Sequence, residues 1–357
     1  MKKICFFIGS LNNAGGTERV CSIIANELSH IGYDVSILNI TGGDIPYFPL
    51  SNNIETHSLF PMPGRTLYRT PAIIYKLRGY LKKERVDILI VVETMSTLFT
   101  LLAIQGLSIK HICWEHFNFN NDLGKSGRGI ARQLAARYCD SVVTLTERDK
   151  GYWLQGTQHK SQITSIANPC PFPVQEYIKE ENTKIVLAIG RLTHIKGFDM
   201  LLEAWLQVNL SMPNWKLKIV GEGEDRTKLT NFIKENKLTD SVELVGNTDN
   251  VGEYYEQAEI FCLSSRFEGF PMVLLETLAF GLPVVSFDCD TGPAEVLENT
   301  GSILVTPNDV NLLASSLIDL MEDSKKRKII SLKSKDKAEI YQPQNIINQW
   351  VSLIESL

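Results

Sequence analysis

A chain of 357 residues is about twice what one domain of roughly 150 residues needs, so a single small module is excluded and two domains, or one unusually large α/β sheet, are expected. Apolar residues make up 44% and charged residues 22%, ordinary globular values that exclude extensive disorder and fibrous repeats. The net charge of −5 is uneven: residues 1–170 carry 18 basic and 13 acidic side chains, residues 171–357 carry 18 and 28, which suggests two domains with different partners, although a chance imbalance accounts for it equally well.

Taken in chain order, Ile4–Ile8 is a short apolar run, followed by a Gly/Asn loop and then by Val20, Ile23, Ile24 and Leu28 at helical spacing. This reads as strand, loop and helix. The run is shorter than a signal-peptide core and no stretch reaches the roughly 18 apolar residues of a membrane span, so a cytoplasmic location is expected. Further buried strands are expected at 35–40, 88–92, 109–113 and 142–145, with helices near 71–83, 95–105, 127–138 and 146–153. Alternating β and α elements imply a largely parallel sheet covered on both faces. Residues 1–167 are therefore expected to form one Rossmann-like domain.

Residues 168–183 read as a linker, opening with Asn168-Pro169-Cys170-Pro171-Phe172-Pro173. The alternation restarts in residues 184–343, with strands at 185–190, 217–220, 242–245, 260–263 and 283–287 and helices near 198–209, 225–237, 271–280 and 308–322. A last helix at about 344–357 is expected to pack back on the first domain. The expected fold class is α/β: two doubly wound Rossmann-like domains facing a central cleft. The seven cysteines are odd in number and scattered, with no Cys-x-x-Cys, which points to reduced thiols rather than disulfides or a zinc site. No zinc-finger, RRM or helix-turn-helix signature marks a nucleic-acid partner.

The first loop, Gly9 to Arg19, lacks both the G-x-G-x-x-G spacing and a Gly-Lys-Ser/Thr, so neither a dinucleotide fingerprint nor a P-loop is present. Gly15-Gly16 still stands at a strand-to-helix junction, where bare backbone can approach an anion; a plain tight turn explains it as well. In the second domain, Arg191 and Lys196 follow a strand's carboxyl end, where open α/β sheets bind ligands, and two such cations can neutralise a diphosphate; taken alone they suit an ordinary solvated loop. A second loop, Ser264-Ser265-Arg266-Phe267-Glu268-Gly269-Phe270-Pro271, also follows a strand and leads into a helix. Free N–H groups at that helix start suit phosphate oxygens. Glu276 lies inside the helix among Val273, Leu274, Leu275, Leu278 and Ala279, where a carboxylate needs hydrogen-bond donors; ribose hydroxyls or an ion-pair partner would supply them.

The frame Glu268-x7-Glu276, preceded by Gly190-Arg191-Leu192-x3-Lys196-Gly197-Phe198-Asp199 and followed by Gly281-Leu282-Pro283 and Thr291-Gly292-Pro293, resembles glycosyltransferase family 4. Gly15-Gly16-Thr17-Glu18-Arg19 is similar to the Gly-Gly-x-Glu-Arg loop of bacterial members, and Trp114-Glu115-His116 to the segment carrying the family's active-site histidine. The resemblance implies a retaining, metal-independent hexosyltransferase of the GT-B fold. It assigns Arg191 and Lys196 to the donor diphosphate, and Glu268 with the amides of Gly269 and Phe270 to the transferred sugar. Glu276 falls to the ribose, Gly15 and Gly16 to the donor from the acceptor domain, and His116 to the sugar's hydroxyl side. A half-buried structural role for His116 is the competing reading; His30, His57, His111 and His159 are taken as structural.

No metal cofactor is expected. Asp288-Cys289-Asp290 matches the Asp-x-Asp string of metal-dependent transferases, but it follows a loop already supplied with cations and is read as coincidence. The partners implied are a nucleotide sugar, UDP-linked by analogy with bacterial relatives, and a glycan or lipid-linked acceptor in surface polysaccharide or glycoconjugate synthesis, with an α-linkage formed. A sugar-nucleotide epimerase of similar fold, a non-catalytic nucleotide-sugar binder and an NAD-dependent dehydrogenase are the alternatives; the missing glycine fingerprint disfavours the last. Finally, Arg65, Arg69, Lys82 and Lys83 flank a helix whose apolar positions 73, 74, 77 and 81 share one face. They suit an ordinary solvated face, or peripheral contact of the acceptor side with an anionic inner membrane surface.

Overall fold

The computed structural model describes residues 2–42, 45–64, 66–122, 124, 127–176 and 183–357. The chain divides into two compact units: unit 1 comprises Met1–Pro171 with Pro343–Leu357, and unit 2 comprises Phe172–Gln342.

Unit 1 holds, in order, β1 (Lys3–Ile8), α1 (Gly16–His30), β2 (Asp34–Thr41), β3 (Glu55–Phe60), α2 (Thr66–Lys83), β4 (Ile88–Val92), α3 (Thr97–Ala103), β5 (Lys110–Trp114), α4 (Gly127–Tyr138), β6 (Ser141–Thr144), α5 (Glu147–Gly156) and β7 (Gln162–Ser165). Among the described residues the strands form one sheet in the order β3-β2-β1-β4-β5-β6-β7, every pairing parallel. Continuous apolar strands such as Ile88-Leu89-Ile90-Val91-Val92 are buried throughout, as a sheet covered on both faces requires. On one face Ile73, Leu77 and Leu81 of α2 pack with Cys5, Phe7, Leu38, Leu89 and Val91.

Unit 2 holds β8 (Ile185–Ile189), α6 (Phe198–Ser211), β9 (Lys216–Val220), α7 (Arg226–Glu235), β10 (Val242–Gly246), α8 (Val251–Gln257), β11 (Ile260–Leu263), α9 (Met272–Ala279), β12 (Val284–Phe287), α10 (Pro293–Val296), β13 (Ile303–Val305), α11 (Val310–Glu322) and α12 (Ser324–Ile340). Its sheet runs β10-β9-β8-β11-β12-β13, again parallel. Both units thus place their first strand beside their fourth, and the strand order reverses there. The loops after β1 and β4, and after β8 and β11, therefore flank a topological switch point, where doubly wound sheets hold their ligands.

The last helix, α13 (Pro343–Ser356), belongs to unit 1. It buries Ile346, Ile347, Trp350, Leu353 and Ile354, and its Glu355 accepts hydrogen bonds from Lys2 Nζ (3.0 Å) and the Tyr33 hydroxyl (2.6 Å). All seven cysteines are buried thiols outside any disulfide, and burial pushes those of Cys5, Cys21, Cys113, Cys139, Cys262 and Cys289 up, that of Cys5 to about 12.

The structure adds elements that the patterning does not reveal. β3, β7 and β13 are sheet-edge or near-edge strands with exposed or half-exposed positions, so the continuous apolar signature is missing. α12 buries only Ile330, Ser334 and Ala338, too thin a stripe to stand out in so polar a segment. α2 begins at Thr66, a turn before the expected start, with Pro71 inside it, where the ring removes one hydrogen bond and crowds the carbonyl four residues back.

Candidate active site

In unit 2 the loops after β8 and β11 are drawn together. Gly197 has φ +65°, and a Cβ on it would lie 2.1 Å from the Ser264 carbonyl oxygen, so only glycine permits this approach. Ser264 Oγ donates to the Lys196 carbonyl (3.0 Å), and the Arg266 N–H donates to that of Ile195 (2.8 Å). The Arg266 guanidinium donates to the His194 carbonyl (2.7 Å) and grips Asp199 with two bonds of 2.8 and 2.9 Å. Burial pushes the Asp199 carboxyl up, but the bonds and charge of Arg266 outweigh that and hold it below its ordinary value. This clamp fixes both loops to the start of α6.

The clamp brings Lys196 and Glu268 together. Lys196 Nζ donates to Glu268 Oε1 at 2.7 Å, and Ser265 Oγ donates to the same oxygen at 2.6 Å. The Glu268 side chain is only 8% exposed, that of Lys196 26%. Thr291 Oγ1 donates to the Glu268 carbonyl (2.8 Å), and the next residue, Gly292 (φ +99°), lies so close that a Cβ would meet Pro271 at 2.4 Å. Phe270 turns its ring inward against Tyr341. Arg191 is exposed and held by no ion pair among the described residues.

Glu276 is buried in α9, and its Oε2 accepts from the buried Tyr255 hydroxyl at 2.7 Å. A tyrosine thus supplies one of the donors a carboxylate at this depth requires. Asp288-Cys289-Asp290 follows β12 with Cys289 buried. Among the described residues no group of three or more His, Cys, Asp or Glu side chains is placed to hold a metal ion.

In unit 1, His116 follows β5 and is buried, its ring 4.5 Å from Trp114, which in turn meets Trp350 of α13 at 4.9 Å. His116 is thus more than half-buried, and its Nε2 has no hydrogen-bond partner among the described residues. Burial lowers the imidazole to about 3, so it is neutral at physiological pH and interacts as a hydrogen-bonding group rather than a cation. The chain around it is held by Glu115, whose Oε1 accepts the N–H groups of His116 and Phe117 (3.1 Å each). Its Oε2 accepts from Thr94 Oγ1 (2.6 Å) and Arg132 Nε (3.3 Å). Arg132 also ties down the carbonyls of Asn118 and Asn121, 2.9 Å each.

A cavity of about 370 Å³ opens beside the loops after β1 and β4. Gly15 caps α1 and Gly16 begins it; the Glu18 carboxylate folds over Gly15 so closely that a Cβ there would meet it at 2.2 Å. Asn13, Thr17 and Glu18, rather than the two glycines, line the cavity. Arg69 also lines it, donating to the Met62 carbonyl (2.7 Å) and lying over the Phe60 ring. Its guanidinium is thus engaged within unit 1. Lys82 and Lys83 are exposed, Lys83 beside Glu84 at 3.1 Å; Arg65 lies outside the described residues. Among the described residues no helix is long and apolar enough to cross a membrane.

Several partners escape a reading of the sequence: Arg266 with Asp199, Tyr255 behind Glu276, Thr291 under Glu268, and Arg132 with Glu115. Glu115 and Asp199 stand inside recognisable strings, but nothing local marks the residues that hold them.

Two doubly wound parallel-sheet units in one chain, the second with a lysine–glutamate pair at its switch point, define the GT-B class of transferases. Residues 14–171 match the model of Glycosyltransferase Family 4 and residues 174–337 that of Glycosyl transferases group 1. An uncharacterized glycosyltransferase of Haemophilus influenzae is 39% identical over 356 residues, covering 99% of this chain and 100% of its own length. The amylovoran biosynthesis glycosyltransferase AmsD of Erwinia amylovora is 29% identical, covering 99% and 100%. A Campylobacter jejuni α-1,4-N-acetyl-D-galactosaminyltransferase acting on GalNAc-alpha-(1->4)-GalNAc-alpha-(1->3)-diNAcBac-PP-undecaprenol is 30% identical, covering 99% and 98%. Among solved structures, the fold is similar to Staphylococcus aureus TarM in complex with fondaparinux, α-GlcNAc-glycerol and UDP (TM-score 0.82, 16% identity, 99% of both chains) and to Anabaena HepE in complex with UDP (0.82, 19%, 100% of both). The chain belongs to the bacterial glycosyltransferase family 4.

Proposed function

We propose that the protein is a retaining glycosyltransferase that moves a hexose or N-acetylhexosamine from a UDP-linked donor to a glycan or lipid-linked glycan acceptor in bacterial surface polysaccharide or glycoconjugate synthesis. It forms an α-linkage and requires no metal ion. The observation that carries this reading is the Lys196–Glu268 pair, held at 2.7 Å by two loops clamped at the switch point of unit 2. Departure of a nucleoside diphosphate builds negative charge on its phosphates; Lys196 and the exposed Arg191 supply preorganised positive charge for it. Glu268, fixed by Ser265 and Lys196, faces the sugar hydroxyls, with Gly269 and Phe270 offering backbone amides. Glu276 takes a ribose hydroxyl beside its Tyr255 bond. The family motif assigns His116, neutral in this fold, and Gly15 with Gly16 to the donor sugar. Departing phosphate takes the acceptor proton on the face it leaves, which retains configuration.

Full-length similarity to the AmsD and Campylobacter enzymes supports a polysaccharide or lipid-linked acceptor, and UDP in the TarM and HepE crystals supports the choice of nucleotide. Peripheral contact with anionic lipid through Lys82 and Lys83 belongs to the same proposal. A panel of UDP-, GDP- and ADP-sugars screened for thermal stabilisation, then for transfer with and without EDTA, tests it. UDP-sugars should stabilise most, the rate should survive EDTA, and NMR of the product should show an α-anomer. Activity lost to EDTA and restored by Mn²⁺ would return the Asp288-Cys289-Asp290 string to consideration.

A further inference from the structure

Glu93 is the residue that follows β4 at the switch point of unit 1. Its backbone has φ +84° and ψ 125°, a region that side chains seldom occupy and that is found concentrated at working sites. The fold imposes this conformation through the bond from its N–H to the Trp114 carbonyl (2.9 Å). Glu93, its side chain 31% exposed, lines the 370 Å³ cavity with Asn13, Glu18, Ile73 and Phe117. Glu93 Oε1 accepts from Nη2 of Arg128 at 2.7 Å; that guanidinium is fully buried and lies over the Phe117 ring at 4.5 Å. Glu93 Oε2 has no hydrogen-bond partner among the described residues.

We propose that Glu93 recognises the acceptor: its Oε2 accepts a hydrogen bond from a hydroxyl of a neutral sugar ring seated in this cavity against Phe117. Calling this sugar the acceptor rests on the transferase reading given above. The chemistry selects a neutral, hydroxyl-donating ligand for two reasons. A carboxylate fixed at one oxygen offers acceptor lone pairs and no proton, so it matches a hydroxyl and not a phosphate or carboxylate. Glu18 shares the lining, while the charge of Arg128 sits behind Glu93 and 3.7 Å from Glu115, and Arg69 is tied to Met62 and Phe60. Glu18 and Glu93 thus set two carboxylates of the lining against an anionic sugar.

The test uses the full chain and saturation-transfer difference NMR with methyl α-D-galactopyranoside, methyl N-acetyl-α-D-galactosaminide and D-galacturonic acid at about 10 mM, in the range of weak single-sugar affinities. UDP titration of the same samples reports on unit 2. E93Q keeps an oxygen for Arg128, and E93D keeps the charge but withdraws it by one methylene. Both variants should lose the neutral-glycoside signal by about five-fold or more, as for a lost charge-assisted hydrogen bond, and galacturonate should be weak on the wild type. The proposal is overturned if E93Q and E93D saturate like the wild type, if galacturonate binds as well as the neutral glycosides, or if no neutral glycoside gives a signal while UDP binds. Failure of UDP to bind while the glycoside signals behave as stated would instead sink the donor reading and leave saccharide recognition at Glu93 standing.

Discussion

Replacing Lys196 by alanine separates what holds the loop after β8 together from what serves the proposed chemistry. The Glu268 side chain is 8% exposed and keeps only the Ser265 hydroxyl as a side-chain donor when Nζ is removed. A hydrogen bond to a charged group contributes about 1.5–3 kcal/mol net, and the 26% exposure of Lys196 argues for the lower end because solvent already screens it. Lys196→Ala should therefore lower the thermal midpoint of unit 2 by about 3–6 °C, at about 2–4 °C per kcal/mol for a domain of this size. Turnover should fall about 10²-fold or more, the usual loss on removing one preorganised donor to developing charge. The double variant K196A/E268Q removes the stranded carboxylate, so its midpoint should recover by at least half while its turnover stays low. Differential scanning calorimetry and initial transfer rates on the same preparations decide the matter. Turnover restored together with stability would show that Lys196 acts only by holding Glu268, and a midpoint unmoved by K196A would refute the energetic reasoning.

Tyr255→Phe deletes the 2.7 Å bond to buried Glu276 without removing the ring; UDP affinity by calorimetry should drop about ten-fold with little change in turnover at saturation, and unchanged affinity would remove Glu276 from the nucleotide site. His116, lowered to about 3 by burial, stays neutral in the fold while an unfolded histidine takes up a proton near pH 6.5. Its contribution to stability is therefore intact above pH 6.5 and lost as pH falls towards 3. Relative to His116→Gln, the wild type should lose about 1.4 kcal/mol per pH unit between 6.5 and 5 in urea titrations. The variant difference cancels Asp149, which burial raises to about 7 with the opposite sign; a flat difference profile would contradict a buried neutral imidazole. Vesicles containing anionic lipid should sediment the protein at low salt and release it at high salt, and Lys82→Ser with Lys83→Ser should weaken the association; a protein that stays in the supernatant ends the membrane proposal.

The layered α/β architecture is legible in the sequence because a strand buried on both faces must be apolar at every position, as in Ile88–Val92 and Ile260–Leu263, and because helices between such strands show their own period. The loops after β8 and β12 are legible for a related reason: Gly197 and Gly292 stand at positive φ, where a Cβ would also collide with neighbouring atoms, so they mark their turns locally. Edge strands and the polar helix α12 leave no such mark, since half their surface faces water. The working geometry depends on partners far apart in the chain. Arg266 finds Asp199 across 67 residues, Arg132 finds Glu115 across 17, and Tyr255 finds Glu276 across 21. The strained backbone of Glu93 and its contact with Arg128, 35 residues on, are equally invisible in one dimension. Sequence alone determined the class of fold and the loops that follow its strands at the switch points, because periodicity and glycine placement are local properties of the chain. Only the tertiary structure decided which charges meet, how deeply they are buried and therefore which are neutral, held or free, because dielectric environment and hydrogen-bond partnership exist only once distant segments have packed together.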